Sequence, residues 1–273
     1  DYKVTGVQTC ALPICPRAHL SQETLTGLDD YQPPENPCQQ CALRETLLSD
    51  GRCGPGDACL FAHSGRQIDR FLRRNREFAE SCLDDGFWER RAIAAQYAPV
   101  EAVVRLSKDP DETVRRAVAT RLTGDALLKL IHDPDREVRI TAAARLPAAD
   151  LPRLMNDTDY AVRQQVARRI PHGRLPQMID DPEPVVRKEI ARRLPAFALS
   201  RMARDPDPEV RALAAGRMLP DDAARMLDDE HWLVRAAAVQ QAPLEALTRL
   251  VTSDPEDAVR QLAAERLTAD GAP

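Results

Sequence analysis

Four cysteines stand within 22 residues, spaced Cys38-x2-Cys41-x11-Cys53-x5-Cys59. The thiolate form of cysteine is a soft metal ligand. A two-residue gap lets the sulfurs of Cys38 and Cys41 turn towards one point. The segment Asp50-Gly51-Arg52-Cys53-Gly54-Pro55-Gly56 is rich in turn residues, which fold the second pair back towards the first. Four thiolates suit a [4Fe–4S] cluster, and they also suit a structural zinc. A zinc ribbon normally closes with a second Cys-x2-Cys, whereas here the second gap is five residues. That departure leans towards iron–sulfur. His63, four residues beyond Cys59, is a candidate to replace one thiolate in a zinc site. Four unconnected buried cysteines are the plain alternative, and the clustering speaks against it.

Little else in the chain has the look of chemistry. His132, His172 and His231 fall at unequal positions of the repeats described below, as surface residues do. There is no Ser–His–Asp order, no glycine-rich phosphate loop and no HExxH. The expectation is a protein without catalytic function. The chain has 273 residues and a net charge of -5, which disfavours nucleic acid as a partner because phosphate neutralisation needs surplus Lys and Arg. No apolar run approaches the roughly 18 residues of a spanning helix, so no membrane partner is expected. No signal peptide is read at the N-terminus. The chain has seven cysteines, and without a secretion signal they point to a cytoplasmic metal or cluster site before disulfides. Cys10 and Cys15 lie in residues 1–15, which have no initiator Met and no helical period. That stretch is expected to be a non-native or unstructured extension, and its two cysteines to be irrelevant to the site. Residues 16–37 read as loop, because Pro33, Pro34 and Pro37 interrupt regular structure.

The rest of the chain supplies the scaffold. From Asp109 a 24-residue unit recurs, opening at Asp109, Asp133, Asp157, Asp181, Asp205, Asp229 and Asp254, the last step being one residue longer than the others. A Val-Arg pair follows five residues after each Asp. A fixed period of this length signals a solenoid, in which each unit buries its apolar face against its neighbours. In the unit from Asp133, the Asp-Pro pair predicts a helix start, with Asp133 as cap and Pro134 in the first turn. Val138, Ala142, Ala143 and Leu146 mark one helical face. Pro147 stops the helix, as do Pro171, Pro195 and Pro243, with Pro220 one residue late. Leu151 and Leu154 then anchor a 3₁₀ turn or a very short helix. Two full antiparallel helices of a HEAT or armadillo unit need ~40 residues, and no strand with LxxLxL is present. A first, degenerate unit begins near Asp84-Asp85, with Arg90, Ile93 and Tyr97 aligned to Arg115, Val118 and Leu122 by a 25-residue shift.

Two arginine columns run through the repeats. One is Arg115, Arg139, Arg163, Arg187, Arg211, Arg235 and Arg260; the other is Arg121, Arg145, Arg169, Arg193, Arg217 and Arg266, interrupted by Gln241. Their regularity favours pairing with the repeat aspartates over a cationic groove, because a binding site varies from unit to unit. Ahead of the repeats, Ser64 and Gln67 predict a capping box. Ile68, Phe71, Leu72, Phe78 and Cys82 fall on one helical face, so Cys82 reads as core. Arg66, Arg70, Arg73, Arg74 and Arg76 make that helix basic, which reads first as a solvated face and second as donors towards an anionic cluster or an acidic partner.

The unit DPDxxVRxxAAxRLPxxxLxxL resembles the leucine-rich repeat variant family. The segment from Cys38 through Ser64–Phe71 to Phe87–Ala94 is similar to the iron–sulfur domain that precedes those repeats. The resemblance covers about residues 37–270 and is more specific in its N-terminal part. It implies an all-α, right-handed solenoid of alternating α- and 3₁₀-helices, with a small N-terminal cysteine-cluster cap. The cluster would be [4Fe–4S], with ligands at Cys38, Cys41, Cys53 and Cys59, zinc being the alternative. The expected domains are the extension at 1–15, a cap at 16–84, and a solenoid at 85–273. The function expected is a repeat scaffold docking a protein partner, with a structural, redox-active or oxygen-sensing cluster. Genes of this family are often found among nitrogen-fixation genes, which adds that setting. A zinc-capped interaction protein and a HEAT-like nucleic-acid-binding enzyme are the alternatives.

Overall fold

The computed structural model describes residues 38–39 and 41–270. The extension at 1–15, with Cys10 and Cys15, and the loop at 16–37 lie outside the described residues. Among the described residues there is one isolated antiparallel bridge, Gly54 with Ala58, and otherwise only helices and turns. The chain divides into two compact units, Asp1–Ala142 and Ala143–Pro273. Both are built on the expected plan, an all-α solenoid in which a longer helix alternates with a short segment.

The longer helices of the first unit are Trp88–Tyr97 and Glu112–Ala119, with Arg136–Arg145 at the boundary. In the second they are Tyr160–Arg169, Pro184–Arg193, Pro208–Ala215, Trp232–Val239 and Asp257–Asp270. Their apolar positions are those the periodicity marks: Val138, Ala142, Ala143 and Leu146 are all fully buried, as are Val162, Val166, Ala167 and Ile170. The short segments vary. Leu151–Leu154, His172–Met178 and Ala196–Met202 are 3₁₀-helices, whereas Pro220–Met226 is α-helical. Proline placement fits the contrast. Pro176 sits inside its segment, where it cannot donate a backbone bond, while Pro220 sits in the first turn, where none is needed. Each short segment drops two apolar anchors into the core, such as Leu151 with Leu154 and Leu199 with Met202.

The helix cap is not where the Asp-Pro pair suggests. The side chain that accepts the first orphan N–H groups belongs to the third residue of the unit. Asp111 accepts from Thr113 at 2.8 Å, and Asp207 accepts from Glu209 at 2.7 Å. In the unit from Asp229 the same position is His231, whose Nδ1 accepts from Leu233. Pro134 and its equivalents therefore precede the helix. The first-position Asp has a different task, accepting the N–H two residues on, as Asp133 does from Asp135 at 2.9 Å. That bond closes a tight turn and leaves the rest of the carboxylate for an arginine.

The arginine comes from the preceding repeat. Arg187 Nε and Nη2 reach Asp205 Oδ2 and Oδ1 at 2.7 and 2.8 Å, a two-pronged fork. Its Nη1 reaches back to the carbonyls of Asp181 and Pro182 at 2.8 and 3.0 Å. The same geometry joins Arg163 to Asp181, Arg211 to Asp229 and Arg235 to Asp254 in the second unit. In the first unit it joins Arg115 to Asp133 and Arg91 to Asp109. Both partners are buried; Arg187 is 7% and Asp205 9% exposed.

The Arg91 link corrects the register of the degenerate first unit. Arg91 also donates to the carbonyls of Asp85 and Gly86, as Arg115 does to those of Asp109 and Pro110. Arg91, not Arg90, is the equivalent of Arg115, so the step into the next unit is the regular one and the first unit opens at Asp85. The second arginine column also departs from expectation, because Arg121, Arg169, Arg193 and Arg217 bond to backbone carbonyls. Arg121 donates to the carbonyls of Ala95 and Ala98 at 2.9 and 3.2 Å, and Arg193 to that of Ala167 at 2.7 Å. These guanidinium groups satisfy the orphan carbonyls at the end of the previous helix, where the helix dipole favours a cation.

The two aspartates of the unit differ in what their loss leaves behind. Removing Asp181 strands the buried Arg163, a cost of about 3–5 kcal/mol, whereas Asp111→Ala loses a cap, about 0.5–2 kcal/mol. Denaturant titration should rank Asp181→Ala as clearly the more damaging; equal effects would refute the division of labour. Burial opposes ionisation of Asp229 and Asp254, but bonds from Arg211 and Arg235 and from backbone N–H groups outweigh it and hold both carboxyls below the usual range. A depressed folded-state value gives stability that is present above the unfolded value of about 3.9 and lost as pH falls through the folded one. Acid titration should therefore leave the fold intact at neutral pH and unfold it only below about pH 4.

Candidate metal centre

The four clustered cysteines are placed by backbone bonds in a compact loop system of the first unit. The chain leaves Cys41 through a turn closed by the Arg44 N–H on the Cys41 carbonyl, 3.1 Å, into a π-helical turn at Arg44–Leu48. The Leu47 carbonyl then accepts the N–H groups of Arg52 and Cys53 at 2.9 and 3.2 Å, which pulls Cys53 back beside the first pair. Gly51 and Gly56 adopt φ of 66° and 80°, a conformation that side chains disfavour, so the two turns flanking Cys53 need glycine. Gly54 and Ala58 exchange backbone bonds at 2.8 and 2.9 Å, closing the loop so that Cys59 returns towards Cys53. The Cys59 N–H finally donates to the Gln67 carbonyl at 3.2 Å, tying the loop to helix Gly65–Arg74.

Cys38, Cys41, Cys53 and Cys59 line one cavity, together with Leu43, Leu48, Ala58, Leu60, Phe61 and Phe71. Its walls are apolar apart from the sulfurs and the stem of Arg44, so the thiols dominate its chemistry. Burial raises the Cys53 and Cys59 thiols above their ordinary range, and the neighbouring cysteine sulfurs push the same way. For Cys59 an N–H bond from Phe61 acts in the opposite sense. Thiolates crowded into such a site repel one another, and a cationic centre removes that penalty by holding them deprotonated. Among the described residues, no three His, Cys, Asp or Glu are gathered as one metal ion requires. A single zinc needs every sulfur within about 2.3 Å of itself. Four thiols lining one apolar pocket are the donor set that a four-iron cluster takes.

Several neighbours differ from expectation. His63 does not line the cavity; it is exposed and stacks on Phe87 with ring centroids 5.6 Å apart. Ser64 occupies the helix N-cap position without making a side-chain cap, and Gln67 donates to the Gly56 carbonyl at 3.1 Å, so the capping box does not form. The helix stops at Arg74, and Phe78 and Cys82 lie in the 3₁₀ turns that follow. Cys82 is fully buried, as core. The basic helix is largely neutralised on the spot: Arg70 and Arg74 pair with Asp57, and Arg73 with Asp69.

Two residues near the site were not legible as such. Asn75 is fully buried, and its Nδ2 donates to the carbonyls of Arg52 and Phe71 at 3.0 and 2.9 Å, pinning the residue before Cys53 to the helix end. Arg90 is 2% exposed; it donates to the Leu60 carbonyl at 2.8 Å and to Asp85 Oδ2 at 2.6 Å. The Arg90-Arg91 doublet was the available signal, since only one arginine can occupy the repeat position.

A family model described as the LRV protein FeS4 cluster matches residues 29–81, and the leucine rich repeat variant model matches 112–135, 160–183 and 184–207. The first denotes a domain with a four-iron, four-sulfur cluster. A solved structure described as a leucine-rich repeat variant with a novel repetitive protein structural motif is 51% identical. It aligns over 86% of this chain and all of its own length, with a TM-score of 0.82. An uncharacterized 27.7 kDa protein in the nifB 3' region of Rhodobacter capsulatus is 40% identical over 85 residues, 31% of this chain. That alignment spans about a third, 34%, of the relative's length.

Replacing Asn75 by Ala leaves buried carbonyls of Arg52 and Phe71 without their donor, at a cost of about 1–3 kcal/mol. Denaturant titration of Asn75→Ala should show that loss, and Asn75→Asp, which sets a carboxylate against the same carbonyls, should be worse. An Asp variant as stable as the native chain would refute the assignment.

Proposed function

The chain belongs to the leucine-rich repeat variant family, with an iron–sulfur domain ahead of its repeats, and from that premise we propose an iron–sulfur-binding scaffold that docks a protein partner. Cys38, Cys41, Cys53 and Cys59 hold the [4Fe–4S] cluster. The cap is residues 16–84 and the solenoid residues 85–273. One observation carries the reading: these four cysteines line a single apolar cavity, whose chemistry is otherwise bare. When bound, the cluster supplies a redox-active, oxygen-sensitive centre, and it also ties together a loop system with little helix of its own. This chain's residues orient the four thiols and exclude water through Leu43, Leu60 and Phe71.

The solenoid serves as the docking scaffold. Its arginine columns are engaged by aspartates and helix-end carbonyls, which removes them as a phosphate-binding surface and speaks against nucleic acid. Trp88, Tyr160 and Trp232 instead present exposed aromatic surface at the first position of their helices. Aromatic residues of this kind are the usual anchors of protein interfaces. Among the described residues no helix is long and apolar enough to cross a membrane. A cytoplasmic, oxygen-poor setting suits oxygen-sensitive cluster chemistry, and the position of the Rhodobacter relative beside nifB supports an association with nitrogen fixation.

Protein purified without oxygen is expected to contain iron and acid-labile sulfide in equal amounts and a broad visible charge-transfer band. Cys53→Ser should remove the band and most of the iron while leaving the helical circular-dichroism signal in place. One zinc per chain with no iron would sink the cluster assignment. A salt-sensitive shift of duplex DNA at physiological ionic strength would sink the protein-docking half.

A further inference from the structure

The residues just after the first arginine column differ between repeats. In the second unit they partner one another. Glu189, two residues after Arg187, accepts from Gln164 Nε2 at 3.3 Å and from Arg168 Nε at 3.2 Å. Lys188 Nζ reaches Glu209 Oε2 at 2.6 Å. In the first unit Ile93, Ala117 and Thr141 stand where Glu189 does, and Arg116 stands where Lys188 does. With Trp88 and Glu89 they line a groove of 410 Å³ across the helices Trp88–Tyr97, Glu112–Ala119 and Arg136–Arg145. Neither Arg116 nor Glu89 enters an ion pair among the described residues. Trp88 is 38% exposed and Arg116 is exposed too, so the groove opens to solvent. Glu89 and Ile93 lie beside Gly65, so one end of the groove abuts the helix Gly65–Arg74.

We propose that this groove docks a peptide segment of a protein partner, one in which an apolar side chain stands between an acidic and a basic residue. The carboxylate meets Arg116, the cation meets Glu89, and the apolar side chain packs on Trp88 and Ile93. The proposal rests on the docking-scaffold reading and narrows it to one surface. Charge complementarity identifies the occupant, because one groove holds two opposite charges that the chain leaves unpaired. The apolar contact supplies most of the affinity, and the two charges fix which way round the segment lies. Openness favours a segment over a small ligand. A small ligand typically loses roughly 70–90% of its surface to an enclosing pocket, whereas a bound peptide keeps one side in water. The Glu89 carboxylate repels a phosphate backbone, which disfavours nucleic acid here. The matching face of the second unit is closed by its own ion pairs, so the site belongs to the first unit.

The test uses the full chain carrying Trp232→Phe, which leaves Trp88 as its one tryptophan. The probes are short capped synthetic peptides with a central Phe and with Asp, Lys or Ala in each flank. Peptides with Asp in one flank and Lys in the other should bind and move Trp88 emission to shorter wavelength. One order of the flanks should be preferred, and Ala in both should weaken binding about tenfold. Calorimetry on a chain that keeps Trp232 should show Trp88→Ala weakening binding by about tenfold or more. Arg116→Glu, at an exposed position that tolerates the change, should instead prefer Lys in both flanks. Binding indifferent to flank charge, unchanged by Trp88→Ala, or absent for every peptide would overturn the inference, as would an Arg116→Glu chain with the native preference. Binding lost in Trp232→Ala but kept in Trp88→Ala would overturn the groove and leave the scaffold reading standing. A shift of duplex DNA would sink the scaffold reading itself, a result distinct from any of these.

Discussion

A guanidinium buried between two repeats has to satisfy several donors at once, and this requirement organises the solenoid. Arg187 meets it with the Asp205 carboxylate ahead and two carbonyls behind. Asp205 completes its own needs by accepting the Asp207 N–H at 2.9 Å. Every atom of the link is thus spoken for by one unit or the next. Burying such a pair costs several kcal/mol in lost hydration, which the attraction only roughly offsets. Its value lies elsewhere. A slip in repeat register would leave both charges buried and alone, so the link penalises wrong stackings more than it stabilises the right one. The aliphatic columns supply the stability, through burial of Val, Ala, Ile and Leu.

The link also sets what arginine alone can do here. Its planar fork meets both carboxylate oxygens while a third nitrogen turns back to the carbonyls, a geometry that a lysine ammonium on its flexible stem does not match. The helix-end arginines answer a second constraint. A repeat this short ends a helix in every unit, and each end exposes orphan carbonyls. Arg121 and Arg193 answer it by reaching back one unit. Two columns that look alike in the sequence therefore solve different problems, one electrostatic and one of backbone satisfaction.

At the N-terminal end the same machinery meets the cysteine site. Asp85 opens the first repeat, and its carbonyl receives Arg91, which forks onto Asp109. Its carboxylate receives Arg90, which holds the peptide after Cys59. One residue thus joins the cysteine loop to the first link of the ladder. The site and the scaffold are separate in chemistry but share this anchor. Gly65 belongs to the same seam: a β-carbon there would meet the carboxylate end of the Glu89 side chain, which would have to move aside.

The sequence by itself determined the repeat, its helical face, the proline stops and the clustering of Cys38, Cys41, Cys53 and Cys59, because these are properties of spacing along one chain. It also marked Cys82 as core and the arginine columns as structural. What it left open involved partners distant in sequence. Two acidic residues near a helix start look equally able to cap it, and only the arginine arriving from the unit before decides that Asp133 is the link and Asp135 the cap. Ser64 and Gln67 spell a capping box, but the closed loop places the Gly56 carbonyl within reach of Gln67. Arg90 and Arg91 are adjacent and identical in type. Which of them joins the ladder and which faces the cysteine loop depends on the direction each side chain takes from its helix, and only tertiary packing sets that direction.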